Sequence, residues 1–140
     1  FINAKEGQCM KKLWLSLMVL WMLVGCTNIP KGFDKATLET KTVEVIKLME
    51  DMKSEEVITL LRSDLQALIT ADELRNNLKT KYDSVGSSTA DPVFTISDTK
   101  DPQTSEIYAT VIAQVTHESG KATYTISFNK DYELVGLYIK

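Results

Sequence analysis

Little in this 140-residue chain is set aside for reactive chemistry. It contains one histidine, two cysteines, three prolines and six glycines. Both cysteines, Cys9 and Cys26, precede residue 27, so the rest of the chain has no thiol and forms no disulfide. That part must be held by its apolar core alone. There is no Gly-x-Ser-x-Gly elbow, no His-x-x-x-His pair and no glycine-rich phosphate loop. A serine or cysteine nucleophile needs a histidine within reach. The sole histidine, His117, falls at the expected tip of a hairpin, where exposure is expected. Asp98 and Asp101 share one stretch, but Thr99-Lys100 and Pro102 around them fit a plain turn better than a cation loop. No catalytic residue, metal site or cofactor is assigned. Basic clusters are missing too, and the formal net charge is −3. This argues against nucleic acid, whose phosphates attract Lys and Arg patches. The longest apolar run, Leu13 to Val24, is shorter than the ~20 residues of a membrane-spanning helix.

That run is nevertheless the most informative stretch. Lys11 and Lys12 precede it and Leu23-Val24-Gly25-Cys26 closes it, the charged, apolar, small-residue order of an export signal. The ending resembles the lipobox of bacterial lipoproteins. The resemblance implies cleavage between Gly25 and Cys26 and lipid on the Cys26 thiol, hence a membrane-anchored lipoprotein on the extracytoplasmic side of a bacterial cell membrane. A plain signal anchor with an incidental cysteine is the alternative. Residues 1–9 have no initiator Met, and Lys5-Glu6-Gly7 is what a purine-rich ribosome-binding sequence would encode, so they read as upstream sequence translated in frame. The expected organisation is therefore 1–9 upstream, 10–25 signal peptide, 26–32 lipidated Cys and linker, and one domain over 33–140. Setting aside Lys5, Lys11, Lys12 and Glu6, the mature part keeps 13 of the 16 basic and 18 of the 19 acidic residues, a net of −5. That balance offers anionic lipid no second, electrostatic contact.

From Phe33 the pattern is helical. Asp34 is placed to cap, and Leu38, Val45, Met49 and Met52 recur on one face with Val43 and Ile46 beside them. Ser54 with Glu55 and Glu56 marks a second helix start, and Val57, Leu60 and Leu61 give it a short apolar face. Leu65, Leu68 and Ile69 read as a buried connector. Thr70-Ala71-Asp72-Glu73 is a capping box that opens a third helix, ending before Gly86.

After Pro92 the period becomes two. Phe94 and Ile96, then Ile107 to Val115, then Ala122 to Phe128, then Leu134 to Ile139 alternate as four strands. A two-residue turn at Ser119-Gly120 pairs Val115 with Tyr124, Ala113 with Ile126 and Val111 with Phe128. Val111, Ala113, Val115, Tyr124, Ile126 and Phe128 then face the helices, while Thr110, Gln114, Thr123, Thr125 and Ser127 face away. The turn over 129–132 sets Glu133 opposite Phe128, with Val135, Leu137 and Ile139 inward. The expected class is α+β, three N-terminal helices packed on a four-stranded antiparallel meander.

The helix ending KLMEDMKSEEVITLL, the stretch LITADELRNNLKTKYDSVG and the close FNKDYELVGLYI are similar to a domain of unknown function numbered 3887. That family occurs in exported bacterial proteins, sometimes ahead of an α/β-hydrolase domain, and is grouped with the cone fold of nuclear transport factor 2. The resemblance implies a curved sheet wrapped around the first helix, with a pocket at the open end. Tyr124, Phe128, Val111 and Phe94 are the candidate pocket residues. It carries no catalytic residues over. Tyr124 is the notable polar group of the inner face, since its hydroxyl needs a partner if buried. Tyr108, Tyr138, Ile112 and Leu134 lie on the outer face and leave room for a protein partner. The expected function is a lipid-anchored, non-enzymatic binding or interaction module, taking a small ligand in the pocket or a protein on the outer face. The alternatives are a small pocket enzyme acting through Tyr124 and a nearby acid, or an accessory domain to a separate α/β-hydrolase.

Overall fold

Asp34 opens the first helix because its carboxylate accepts the Thr37 N–H at 2.9 Å, satisfying a donor the helix itself leaves free. The computed structural model describes residues 29–140. The expectations for residues 1–9, for the signal at 10–25 and for Gly25 and Cys26 lie outside the described residues. Helix α1 (Lys35–Glu50) buries Leu38, Thr42, Val45, Ile46 and Met49 on one face, whereas Val43 is exposed. Helix α2 (Ser54–Leu60) starts where expected but is not capped by Ser54. The N-cap is Lys53, which makes no side-chain cap, and Ser54 is buried with its Oγ unpartnered. A single 3₁₀ turn (Gln66–Leu68) leads to α3 (Ala71–Val85). Thr70 and Glu73 form the full capping box there, at 3.2 and 2.9 Å. Gly86 ends α3 with φ +77.

The sheet is an antiparallel meander in the order β1 (Val93–Lys100), β2 (Ile107–His117), β3 (Gly120–Phe128), β4 (Leu134–Ile139). Its class is α+β. The expected packing of all three helices on the sheet as a cone is corrected by the observed contacts. Helix α1 lies against β2 and α3 against β3, while α2 packs on these two helices. The chain after α2 reaches the sheet through a bridge from Leu61 to Leu134. Spacing explains this: four strands about 4.8 Å apart present a face about 15 Å wide, which holds two helices at their usual 8–10 Å separation and no third. The seven-residue α2 instead packs on those two helices and buries Val57 fully in the core.

Every side chain expected to face inward from β2 and β3 does so, and Val111, Ala113, Val115, Tyr124, Ile126 and Phe128 are at most 1% exposed. The pairing itself is two residues off the expected one. Val115 faces Ala122, Ala113 faces Tyr124, Val111 faces Ile126 and Ala109 faces Phe128. The turn is Glu118-Ser119: His117 pairs with Gly120, so β2 ends and β3 begins one residue earlier than a Ser119-Gly120 turn would place them. A two-residue slip keeps every side chain on its own face, which is why the faces survive the error in register. In the next turn, the Asn129 side-chain carbonyl accepts the Asp131 and Glu133 N–H groups. A register shift at Ser127/Phe128 then places Leu134, rather than Glu133, opposite Phe128. This turns Leu134 into the core at 1% exposure, where the alternation had it outward.

Candidate functional site

The four candidate pocket residues do not meet around a cavity. Val111, Tyr124 and Phe128 lie in the filled core, and Phe94 packs half-buried against it. The Tyr124 hydroxyl has a partner, the Tyr82 hydroxyl of α3 at 2.8 Å. Burial pushes the Tyr124 phenol up to about 12, against a smaller opposing effect of that hydrogen bond. Burial also raises Tyr82 well above the usual phenol range, with the Tyr124 bond adding to it. Both hydroxyls stay protonated near neutral pH, so the pair holds structure together and is poorly suited to proton transfer.

His117 is not exposed at a hairpin tip. It is 4% exposed because the segment after α3 folds over it. Ser88 bridges to His117, Thr89 N–H donates to the Thr116 carbonyl at 2.8 Å, and Glu118 N–H donates to the Ser87 carbonyl at 3.0 Å. The imidazole stacks on Tyr82 with centroids 5.9 Å apart. Tyr108 also leaves the expected outer patch. It is buried beneath Arg62, whose Nη1 donates to its hydroxyl at 3.2 Å, and near Asp101 and Glu106. Ile112 and Tyr138 remain exposed, on either side of Thr125 in one cross-strand row.

An apolar concavity lies elsewhere, between α3 and the open edge of β4. It is a groove of about 690 Å³. Leu61, Leu65, Leu68 and Ile69 of the connector form one part of its wall, Leu74 and Lys81 of α3 another. Leu65 and Ile69 are half-buried and Leu68 is 75% exposed, so the connector is not the buried one expected. It covers the end of the core and leaves its leucines facing the groove. The third wall is the consecutive run Val135 to Ile139. Residues of both parities line it, as they do where the edge of a strand, rather than one face, borders a space.

This edge lacks the usual guards. Leu134–Ile139 contains no charge and no proline, the devices that keep edge strands from recruiting another chain. The edge has also begun to recruit one: Arg62 N–H donates to the Leu134 carbonyl at 2.9 Å before the chain departs at Ser63. Further along, Lys140 exchanges both backbone bonds with Thr123 at 3.0 Å. Antiparallel alternation therefore turns the N–H and C=O of Leu137 and Ile139 outward, to the open side. Among the described residues, Lys81 is the only ionic side chain on the groove wall, and it makes no ion pair there.

Sequence reasoning did not find this groove. The signals present were the uncharged strand LVGLYI and three apolar residues, Leu65, Leu68 and Ile69, in a segment too short to bury them.

Residues 42–137 match the model of a family described as protein of unknown function (DUF3887). A solved structure, the NMR structure of a protein from Ruminococcus gnavus ATCC 29149, is similar at a TM-score of 0.68 and 24% identity, over 81% of this chain and 96% of that one. At that identity the likeness bears on fold alone. No curated protein matches. Among the described residues no helix is long and apolar enough to cross a membrane.

Proposed function

The chain belongs to the DUF3887 family, whose function is unknown, and on that premise we propose that it is a membrane-tethered extracytoplasmic module that binds an extended segment of a partner protein. The observation that carries this is the unguarded edge of β4 beside an apolar groove. A bound segment adds a strand along Leu137 and Ile139, its main chain supplying affinity and its alternate side chains filling the space over Leu65, Leu68 and Ile69. Lys81 favours a segment with an acidic side chain at that level. The tether reading rests on Lys11-Lys12, the apolar run and Leu23-Val24-Gly25-Cys26. Two or more acyl chains at Cys26 give stable retention where one does not.

Selection of a random peptide library against the protein tests the groove. Binders should alternate apolar residues and carry an acid, and both Leu68→Asp and Lys81→Glu should weaken them. Binders indifferent to both substitutions would contradict the reading. The tether has its own test: radiolabelled palmitate should enter the wild-type protein and not Cys26→Ser, and equal labelling of the two would remove the anchor.

A further inference from the structure

Ile29 and Phe33 pack against the core, Pro30 is buried, and the Phe33 ring meets Tyr132 edge-on at 5.9 Å. Asp34 N–H donates to the Tyr132 hydroxyl at 3.0 Å. The segment that enters α1 is thus fixed to the β3–β4 turn. The far ends of α1 and α3 lie at the opposite pole, by the β2–β3 hairpin. There Ser119 N–H donates to the Val85 carbonyl at 2.8 Å and Ser88 Oγ reaches Glu50 at 3.5 Å. The nine residues of β3 set the two poles about 27 Å apart. Lipid on Cys26, part of the reading on which this inference rests, leaves three residue steps before Ile29, at most about 11 Å of chain. So short a leash on a fixed segment keeps the β3–β4 turn beside the bilayer and the β2–β3 hairpin away from it.

The groove begins at the bilayer end. Tyr132 is two residues from Leu134, which bridges to Leu61 and accepts the Arg62 N–H. Gln66 Nε2 in turn holds the Leu61 carbonyl at 2.9 Å, which ties the connector with Leu65, Leu68 and Ile69 to the same end. From there the groove follows β4 outward to its open edge at Leu137 and Ile139. Lys81 stands at the far end, because its neighbour Tyr82 bonds Tyr124, the residue paired with Ile139. We infer that the segment taken by the groove is the membrane-proximal stretch of a second membrane-anchored protein, with apolar residues nearest the bilayer and an acid beyond them. That order matches the polarity of the groove, apolar beside the membrane and cationic away from it. Anchorage in one bilayer also raises the effective concentration of the two partners, so a modest strand addition suffices.

The full chain, lipidated and held in nanodiscs with a trace of gadolinium-chelating lipid, tests the placement. Amide signals of Leu68 and Lys130 should broaden while those of Glu118 and Ser119 stay sharp. Inserting about thirty Gly-Ser residues between Asn28 and Ile29 should erase the difference, since a flexible linker of that length spans about 30 Å. The library-selected peptide tests the occupant. Joined to a lipid of the same bilayer through a spacer of about eight residues, which reaches about 27 Å when extended, it should bind about a hundredfold more tightly than the free peptide. Equal broadening at the two poles, or an anchored peptide bound no better than the free one, would overturn the inference and leave peptide binding itself intact. Loss of peptide binding as protein concentration rises would assign the groove to a second copy of this chain and overturn it too. Failure of the underlying reading looks different: no broadening anywhere, or no peptide selected at all, would overturn both.

Discussion

Gly86→Ala should be among the most damaging single-methyl additions to this domain, and its cost divides into two parts. Gly86 sits at φ +77, ψ −158, a region that side chains other than hydrogen scarcely enter. Holding alanine there costs about 1–3 kcal/mol. A Cβ built at this position also lies 2.5 Å from Glu118 Oε2 and 3.2 Å from Glu118 Cβ. The carboxylate can swing away, giving up its long bond to Ser87, but the Cβ contact must be relieved by a small backbone shift. That adds under about 1 kcal/mol, for a total of roughly 1–4 kcal/mol. Urea unfolding of residues 27–140 measures it as a lower midpoint at unchanged slope. Adding Glu118→Ala to Gly86→Ala removes the carboxylate but keeps the Glu118 Cβ, so it should recover little of the loss. An unchanged midpoint in Gly86→Ala, or full recovery in the double variant, would refute the argument from backbone conformation. Because the Gly86 carbonyl holds His117 Nδ1, the substitution should also disturb the imidazole resonances.

Ile126→Ala should destabilise the domain by about 2–5 kcal/mol, since the side chain is fully buried and its loss leaves a cavity, whereas Thr125→Ala on the outer face should cost about 0.5 kcal/mol. Equal unfolding midpoints would mean the faces of β3 are misassigned. Thr70→Ala removes the acceptor of the Glu73 N–H and should cost about 0.5–2 kcal/mol in the same assay. No change would mean that the capping box contributes nothing to α3.

What could be read from the sequence was local. Asp34, Thr70 and Glu73 were legible because a cap is decided within three or four residues, and the faces of β2 and β3 because side chains alternate regardless of partner. The register was missed by two because the turn was assigned from Ser119-Gly120 alone. The end of α3 and the 87–89 segment instead take up the Glu118 and Ser119 N–H groups and leave those two residues as the turn, through contacts between residues some thirty positions apart. The same contacts bury His117, so its expected exposure failed for the same reason. Leu134 turned inward through a register shift that no alternation pattern announces. The groove was invisible because it exists only where α3 and β4, far apart in sequence, leave the connector between them.

Hydrogen exchange at Leu137 and Ile139 tests the β4 edge most directly. In the free protein both amides face the open side of the sheet and should exchange fast, while the Tyr138 amide, turned toward Thr125 in β3, is protected. Saturation with a selected peptide should protect Leu137 and Ile139 together, as a new strand takes up their hydrogen bonds. A peptide that binds tightly while both amides continue to exchange at the free rate would contradict strand addition at β4.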